Sequence, residues 1–206
     1  MSDSDPRKSV GRLWADDRKQ QILRVAARLL SERGVDGLRI PDVAAAAGVT
    51  RPVVYRHFPN RQAILMDLLE SAGDSFVARL EAAAAIGLDD LPNLMRALLE
   101  SLCNEIEDQG PGMWLLLNST GPDPDVEAVA QAVRERMVAP WYARVAAVTR
   151  TNDKEAIAIT AMLYGMIPSA VTLWQSGALT KQEAVEHLMK GVGGLIDAYT
   201  REQDLH

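Results

Sequence analysis

Ile22, Leu23, Ala26, Leu29 and Leu30 stand at offsets of 0, 1, 4, 7 and 8, the spacing that lines one face of an amphipathic helix. That helix is predicted to open at Asp16 or Asp17 and to end at Arg33-Gly34, with Gly34 as its C-terminal cap. Leu38 and Ile40 read as core, and Pro41 with Asp42 suits the first turn of a second helix. Val43, Ala44 and Ala47 give that helix an apolar edge, and Gly48 breaks it where φ turns positive. Thr50 is placed as N-cap of a third short helix with Pro52 in its first turn. Val54 and Phe58, four apart, face inward and leave Arg51, Val53, Tyr55, Arg56 and His57 mostly outward.

The periodicity continues through the rest of the chain. Asn60 caps a fourth helix that runs through Ile64, Leu65, Leu68 and Leu69 to about Ala85. A fifth begins at Asp89 or Asp90 and ends at Asp108, and 109–112 form a break. Met113 to Leu117 is short and apolar. A long segment from Asp125 to about Arg150 is interrupted at Pro140, and another from Asn152 or Asp153 to Gln175 at Pro168. Thr180 with Glu183 is a capping box for a last helix ending near Glu202. No strand alternation and no internal repeat is present, so the fold class is all-α.

Charge changes the picture. The chain of 206 residues has a net charge of −6, which taken alone argues against a nucleic-acid partner. Residues 1–66, however, hold 12 basic and 7 acidic side chains, a net of +5, whereas residues 67–206 hold 10 and 21, a net of −11. A basic head on an acidic body is the layout of a modest-sized DNA-binding protein. Residues 1–15, with Arg7, Lys8 and Arg12, read as a flexible polar arm. With one cysteine, Cys103, there is neither an intrachain disulfide nor a cysteine-only metal site. No uniformly apolar run of 18 residues and no signal-peptide core is seen, so the reading is a cytoplasmic protein that does not span a membrane.

The stretch Val43–Phe58, V-A-A-A-A-G-V-T-R-P-V-V-Y-R-H-F, resembles the helix-turn-helix signature of TetR-type transcriptional regulators. Arg18, Ile22-Leu23, Ala26-Ala27 and Glu32-Arg33-Gly34 are similar to that family's first helix. The resemblance implies a three-helix DNA-binding domain over 16–65, joined to a larger helical ligand-binding and dimerisation domain over 66–206. It implies phosphate contacts by Tyr55 and His57, with Thr50 at the helix start. Such contacts fix register without reading bases. Base readout then falls to Arg51, Pro52, Val53 and Arg56, since arginine takes guanine bidentately and Val53 or the Pro52 ring suits a thymine methyl. Arg39 stands where the family often has a capping threonine, and Arg61 where it commonly has lysine; both keep a cation near a phosphate. The fourth helix joins the two parts with no flexible linker, as a rod would. His57 serves equally as a hydrogen-bonding partner within the domain.

Met113, Trp114, Leu117, Met137, Trp141, Met162 and Met166 gather large adaptable side chains in the body. Residue by residue they suit plain core. The family resemblance makes the region a pocket for a small-molecule effector, apolar or aromatic. The apolar faces of the last two helices, with Ile157, Ala161 and Ala170 on one and Leu188, Gly191, Val192 and Leu195 on the other, are where the family pairs two subunits. A homodimer suits a palindromic double-stranded DNA operator. The histidines, His57, His187 and His206, have no metal-ligand spacing, and no glycine-rich phosphate loop precedes a helix. The chain is therefore read as a regulator, a repressor released by its ligand, with neither catalytic residues nor cofactor. The same layout also suits a helical small-molecule carrier with an N-terminal interaction module.

Overall fold

The computed structural model describes residues 6–85, 90–118 and 123–203, and among them it is helical with no strand. In chain order the helices are α1 (Pro6–Gly37), α2 (Ile40–Ala46), α3 (Arg51–His57), α4 (Arg61–Ala85), α5 (Leu91–Gln109), α6 (Gly112–Asn118), α7 (Pro124–Thr149), α8 (Asp153–Gln175) and α9 (Lys181–Gln203). They divide into two compact units, one of residues 1–72 with 109–130 and the other of 73–108 with 131–206. Helices α4 and α7 each contribute residues to both.

Caps explain most boundaries. Asn60 accepts from the amide of Ala63 at 2.8 Å ahead of α4, and Asp90 from Asn93 ahead of α5. Asp123 accepts from Asp125 and Val126 at the start of α7. Asn152 and Glu155 form a reciprocal capping box on α8, and Thr180 and Glu183 do the same on α9. Gly34, expected to cap the first helix, takes φ 69° and kinks α1, which runs on past it to Gly37; the start of α1 departs from expectation. α1 begins at Pro6 rather than at Asp16 or Asp17, so the backbone of residues 6–15 is helical where a polar arm is predicted. Pro6 suits a first helical turn, and only Gly11 weakens the path between it and the amphipathic stripe. Nor do Pro140 and Pro168 end their helices: α7 and α8 run on through both.

In the first unit, α1 supplies Ile22, Ala26 and Leu30, each fully buried, and the core continues through Leu38, Val43, Val54, Phe58, Ile64 and Leu69. α6 joins this unit through its packing on α1. In the second unit Leu91, Leu94, Val145, Ile159, Leu163 and Val192 form the centre, with α8 packed along α9. α8 also corrects the reading that no stretch is long and apolar enough to cross a membrane. Its length and mean hydropathy of 1.7 meet that test, and residues 156–175 carry no charged side chain. Only 28% of its most apolar window is buried within the chain.

Candidate nucleic-acid interface and apolar pocket

The turn between α2 and α3 is built from backbone bonds. Gly48 takes φ 65°, its amide donates to the Ala45 carbonyl, and the Val49 amide donates to Ala44. This six-to-one plus five-to-two pairing is a Schellman motif, and it turns the chain sharply into the start of α3. α3 then begins at Arg51, after the extended Thr50 at the N-cap position and with Pro52 in its first turn. The Thr50 hydroxyl makes no capping bond, contrary to expectation, because Pro52 and the helical backbone already set the entry. That oxygen stays available for an external partner. Arg39 likewise precedes α2 without a side-chain cap.

Two residues anchor α3: Val54 at 0% exposure and Phe58 at 1%. The remainder faces out. Arg51, Pro52, Arg56 and Tyr55, the last at 51%, are exposed, with Val53 and His57 half-buried. A seven-residue helix held by so few contacts needs outside support, and α1 gives it. The Gln21 side-chain amide donates to the Ala47 carbonyl at 3.1 Å, Arg33 pairs with Asp42 at 3.1 Å, and the Lys19 ammonium sits 5.7 Å from the Phe58 ring centroid. Burial lowers the His57 imidazole below its ordinary value, and the positive charges of Arg56, Lys19 and Arg18 lower it further. Arg61, expected at a phosphate, donates one guanidinium nitrogen to the Val35 carbonyl, and the same nitrogen lies 4.0 Å from the Asp36 carboxylate.

The residues expected to line one effector pocket are divided between the units. Met113, Trp114 and Leu117 lie on α6 in the first, Trp114 and Leu117 buried there. Met137, Trp141, Met162 and Met166 lie in the second, where Trp141 belongs to the core, Met166 packs against it and Met162 is 43% exposed. A small, wholly apolar pocket in the second unit has a different lining, from Leu99, Leu102 and Cys103 of α5, Ile167, Ala170, Val171 and Trp174 of α8, and Ala184, Val185 and Leu188 of α9. The signal that finds it is three helices presenting apolar residues four apart, which periodicity alone cannot tell from core. Burial pushes the Cys103 thiol above its ordinary range. The buried Tyr164 hydroxyl on α8 has no hydrogen-bond partner among the described residues.

The expected association residues also divide. Ile157 and Ala161 on α8 are exposed. Leu188 and Val192 are buried in their own chain, Leu195 packs against its core, and Ala170 lines the pocket. A Cβ on Gly191 would meet the Met166 sulfur at 3.1 Å, so its close approach is made within the chain, whereas Gly193 and Gly194 have open space. Among the described residues no cluster of metal-ligating side chains occurs.

Residues 22–68 match the family model for bacterial regulatory proteins of the tetR family. The chain is similar to the HTH-type transcriptional activator FasR of Mycolicibacterium smegmatis, 29% identical over 60% of this chain and 57% of that one. It is similar too to the HTH-type transcriptional regulator EthR of Mycobacterium tuberculosis, 34% identical over 39% of this chain and 38% of that one. It therefore spans little more than half, or less, of the length of these curated relatives. Among solved structures, the regulator FadR of Bacillus subtilis in complex with stearoyl-CoA shares the fold at a TM-score of 0.69 and 17% identity, over 84% of this chain and 98% of that one. The tetR family model thus covers the helix-turn-helix of residues 22–68, and the helical fold is shared with this solved structure over most of the chain.

Proposed function

We propose that the chain is a non-enzymatic transcriptional regulator in which residues 16–65 bind DNA and α3 enters the major groove. The observation that carries this reading is the division of α3: Val54 and Phe58 buried, with Arg51, Pro52, Tyr55 and Arg56 exposed together on a basic head. Arg51 and Arg56 read bases, Pro52 and Val53 touch thymine methyls, and Thr50, Tyr55 and His57 position the helix on phosphates.

Two copies associate through α8 and α9 and place their α3 helices about 34–36 Å apart, one DNA turn. Ile157, Met162 and Leu173, between 43% and 47% exposed, support this, because an apolar face of that extent suits a second copy better than water. A small apolar or aromatic effector binds in the second unit. Supporting that is the apolar pocket between α5, α8 and α9. FadR of Bacillus subtilis, on a similar fold, is in complex with stearoyl-CoA, whose acyl chain is apolar. Ligand favours a state with another α3 spacing and weakens DNA binding by linkage through α4, which belongs to both units. Repression is the sign we assign, since a dimer seated on a promoter blocks it without any activating surface.

The test is selection of bound duplexes from a random pool, followed by a mobility shift. A palindrome with half-sites one turn apart is expected, with binding weakened in Arg51→Ala and Tyr55→Phe. A specific shift absent under every ligand condition would return the chain to the carrier reading.

A further inference from the structure

Beside α3 lies a cluster of cations that the reading helix does not account for. Arg18 and Lys19 lie on α1, and their charges together with that of Arg56 reach the His57 ring at the C-terminal end of α3. We propose that Arg18 and Lys19, with His57, form a second grip on a backbone phosphate of DNA, flanking the base-reading face; this rests on the DNA-binding reading above.

Three features build the grip. The Arg18 guanidinium donates to the Gln21 side-chain oxygen at 2.7 Å, and Gln21 in turn donates to the Ala47 carbonyl in the turn before α3. Gln21 is thus a positioning residue that ties Arg18 to the reading helix. The Lys19 ammonium lies over the Phe58 ring, whose centroid is 6.5 Å from that of His57. Lys19 also remains 40% exposed. Its counter-charge is the Asp67 carboxylate of α4 at 2.5 Å, with Asp16 and Asp17 exposed just ahead on α1. Asp67 already balances Lys19, and a phosphate adds a second anion, accepting from the Arg18 fork and from His57.

The experiment follows binding of a duplex recovered by the wild-type protein, by fluorescence anisotropy across a salt series. Each phosphate contact releases counterions worth a slope of about 0.9 in log Kd against log salt, or roughly threefold in affinity over a fourfold salt range. Arg18→Gln and Lys19→Gln should each lower the slope of a dimer by about 1.8 while keeping the preference among base sequences. Asp67→Asn frees Lys19 and should tighten binding. Slopes equal to wild type in both glutamine variants overturn the grip even where Kd rises, since a structural loss weakens binding without changing counterion release. Weaker binding by Asp67→Asn overturns the role of Lys19. Should the wild type bind no duplex, DNA reading itself is overturned and the grip with it, whereas intact wild-type binding with unchanged slopes removes the grip alone.

Discussion

The backbone of Gly112 lies directly on that of Ser31: a Cβ at position 112 would stand 2.6 Å from the Ser31 amide nitrogen and 2.7 Å from its Cα. The contact is with backbone, so no side chain can swing away. Gly110, two residues earlier and at φ 81°, would bring a Cβ to 2.9 Å from the Ser31 Cβ. Together they let α6 close onto α1, which carries the core stripe of the first unit. Gly112→Ala is expected to cost about 1–3 kcal/mol or more by forcing the two helices apart. In a chain this long that lowers Tm by about 2–4 °C for each kcal/mol. A thermal melt equal to wild type would mean that α6 does not pack on α1 in this way.

That contact also marks where the sequence stops being legible. Gln109-Gly110-Pro111-Gly112 reads as a break, and a break it is, but nothing in it says that the glycines are small for the sake of Ser31, some eighty residues away. The helix-turn-helix is legible because its determinants are local: Gly48 needs a positive φ, Val54 and Phe58 need one face, and Asn60 needs an amide three residues on. The division of the expected effector residues between the two units is not legible, for the opposite reason. Met113 and Met162 carry the same chemistry, yet partition between units by long-range packing that composition does not encode. On α9 the same limit separates Val192, buried in its own chain, from Gly194, which is open.

Phe58 and Tyr55 should separate folding from recognition. Phe58→Ala empties a site at 1% exposure and is expected to cost about 3–5 kcal/mol of stability. Tyr55→Phe removes one hydroxyl from a half-exposed ring, so its melt should match wild type while its DNA affinity falls evenly across sequences. A Tyr55→Phe protein that bound as tightly as wild type would remove Tyr55 from the phosphate contacts.

His57 gives two pH dependences of opposite sign. Burial, with the positive charges of Arg56, Lys19 and Arg18, holds the folded imidazole below its ordinary 6.5, and Lys19 is itself paired to Asp67. The unfolded chain therefore takes up a proton first as pH falls through 6.5, and stability drops from there toward the lower folded value. DNA phosphate favours the imidazolium, so affinity should rise over the same interval. His57→Gln is expected to flatten both curves between pH 7.5 and 5.5, measured by urea melts and by anisotropy; a variant as pH-dependent as wild type in both assays would place the titration elsewhere.

Cys103 reports on the apolar pocket. Burial raises its thiol, opposed by Lys181 and reinforced by Glu107 and Glu100, so little of the reactive thiolate forms at pH 8. N-ethylmaleimide should label the folded protein roughly tenfold or more slowly than the protein in urea. An apolar effector bound between α5, α8 and α9 should slow labelling further. Equal rates with and without an effector that releases DNA would move the effector out of this pocket.

The proposed association rests on the exposed face of α8. Ile157, Met162 and Leu173 are each more than two-fifths exposed, and Gly165 leaves open space among them. Ile157→Arg and Met162→Arg place charge on a surface that contributes little to the chain's own core, so the far-ultraviolet spectrum and melt of the monomer should be preserved. Sedimentation should then find monomers, and DNA affinity should fall because one half-site is held at a time. Leu188→Ala should behave in the reverse manner: it removes a buried side chain, costs about 2–5 kcal/mol, and leaves the association face untouched. If the arginine variants stayed dimeric, the copies would meet elsewhere, and the apolar length of α8 would need another partner.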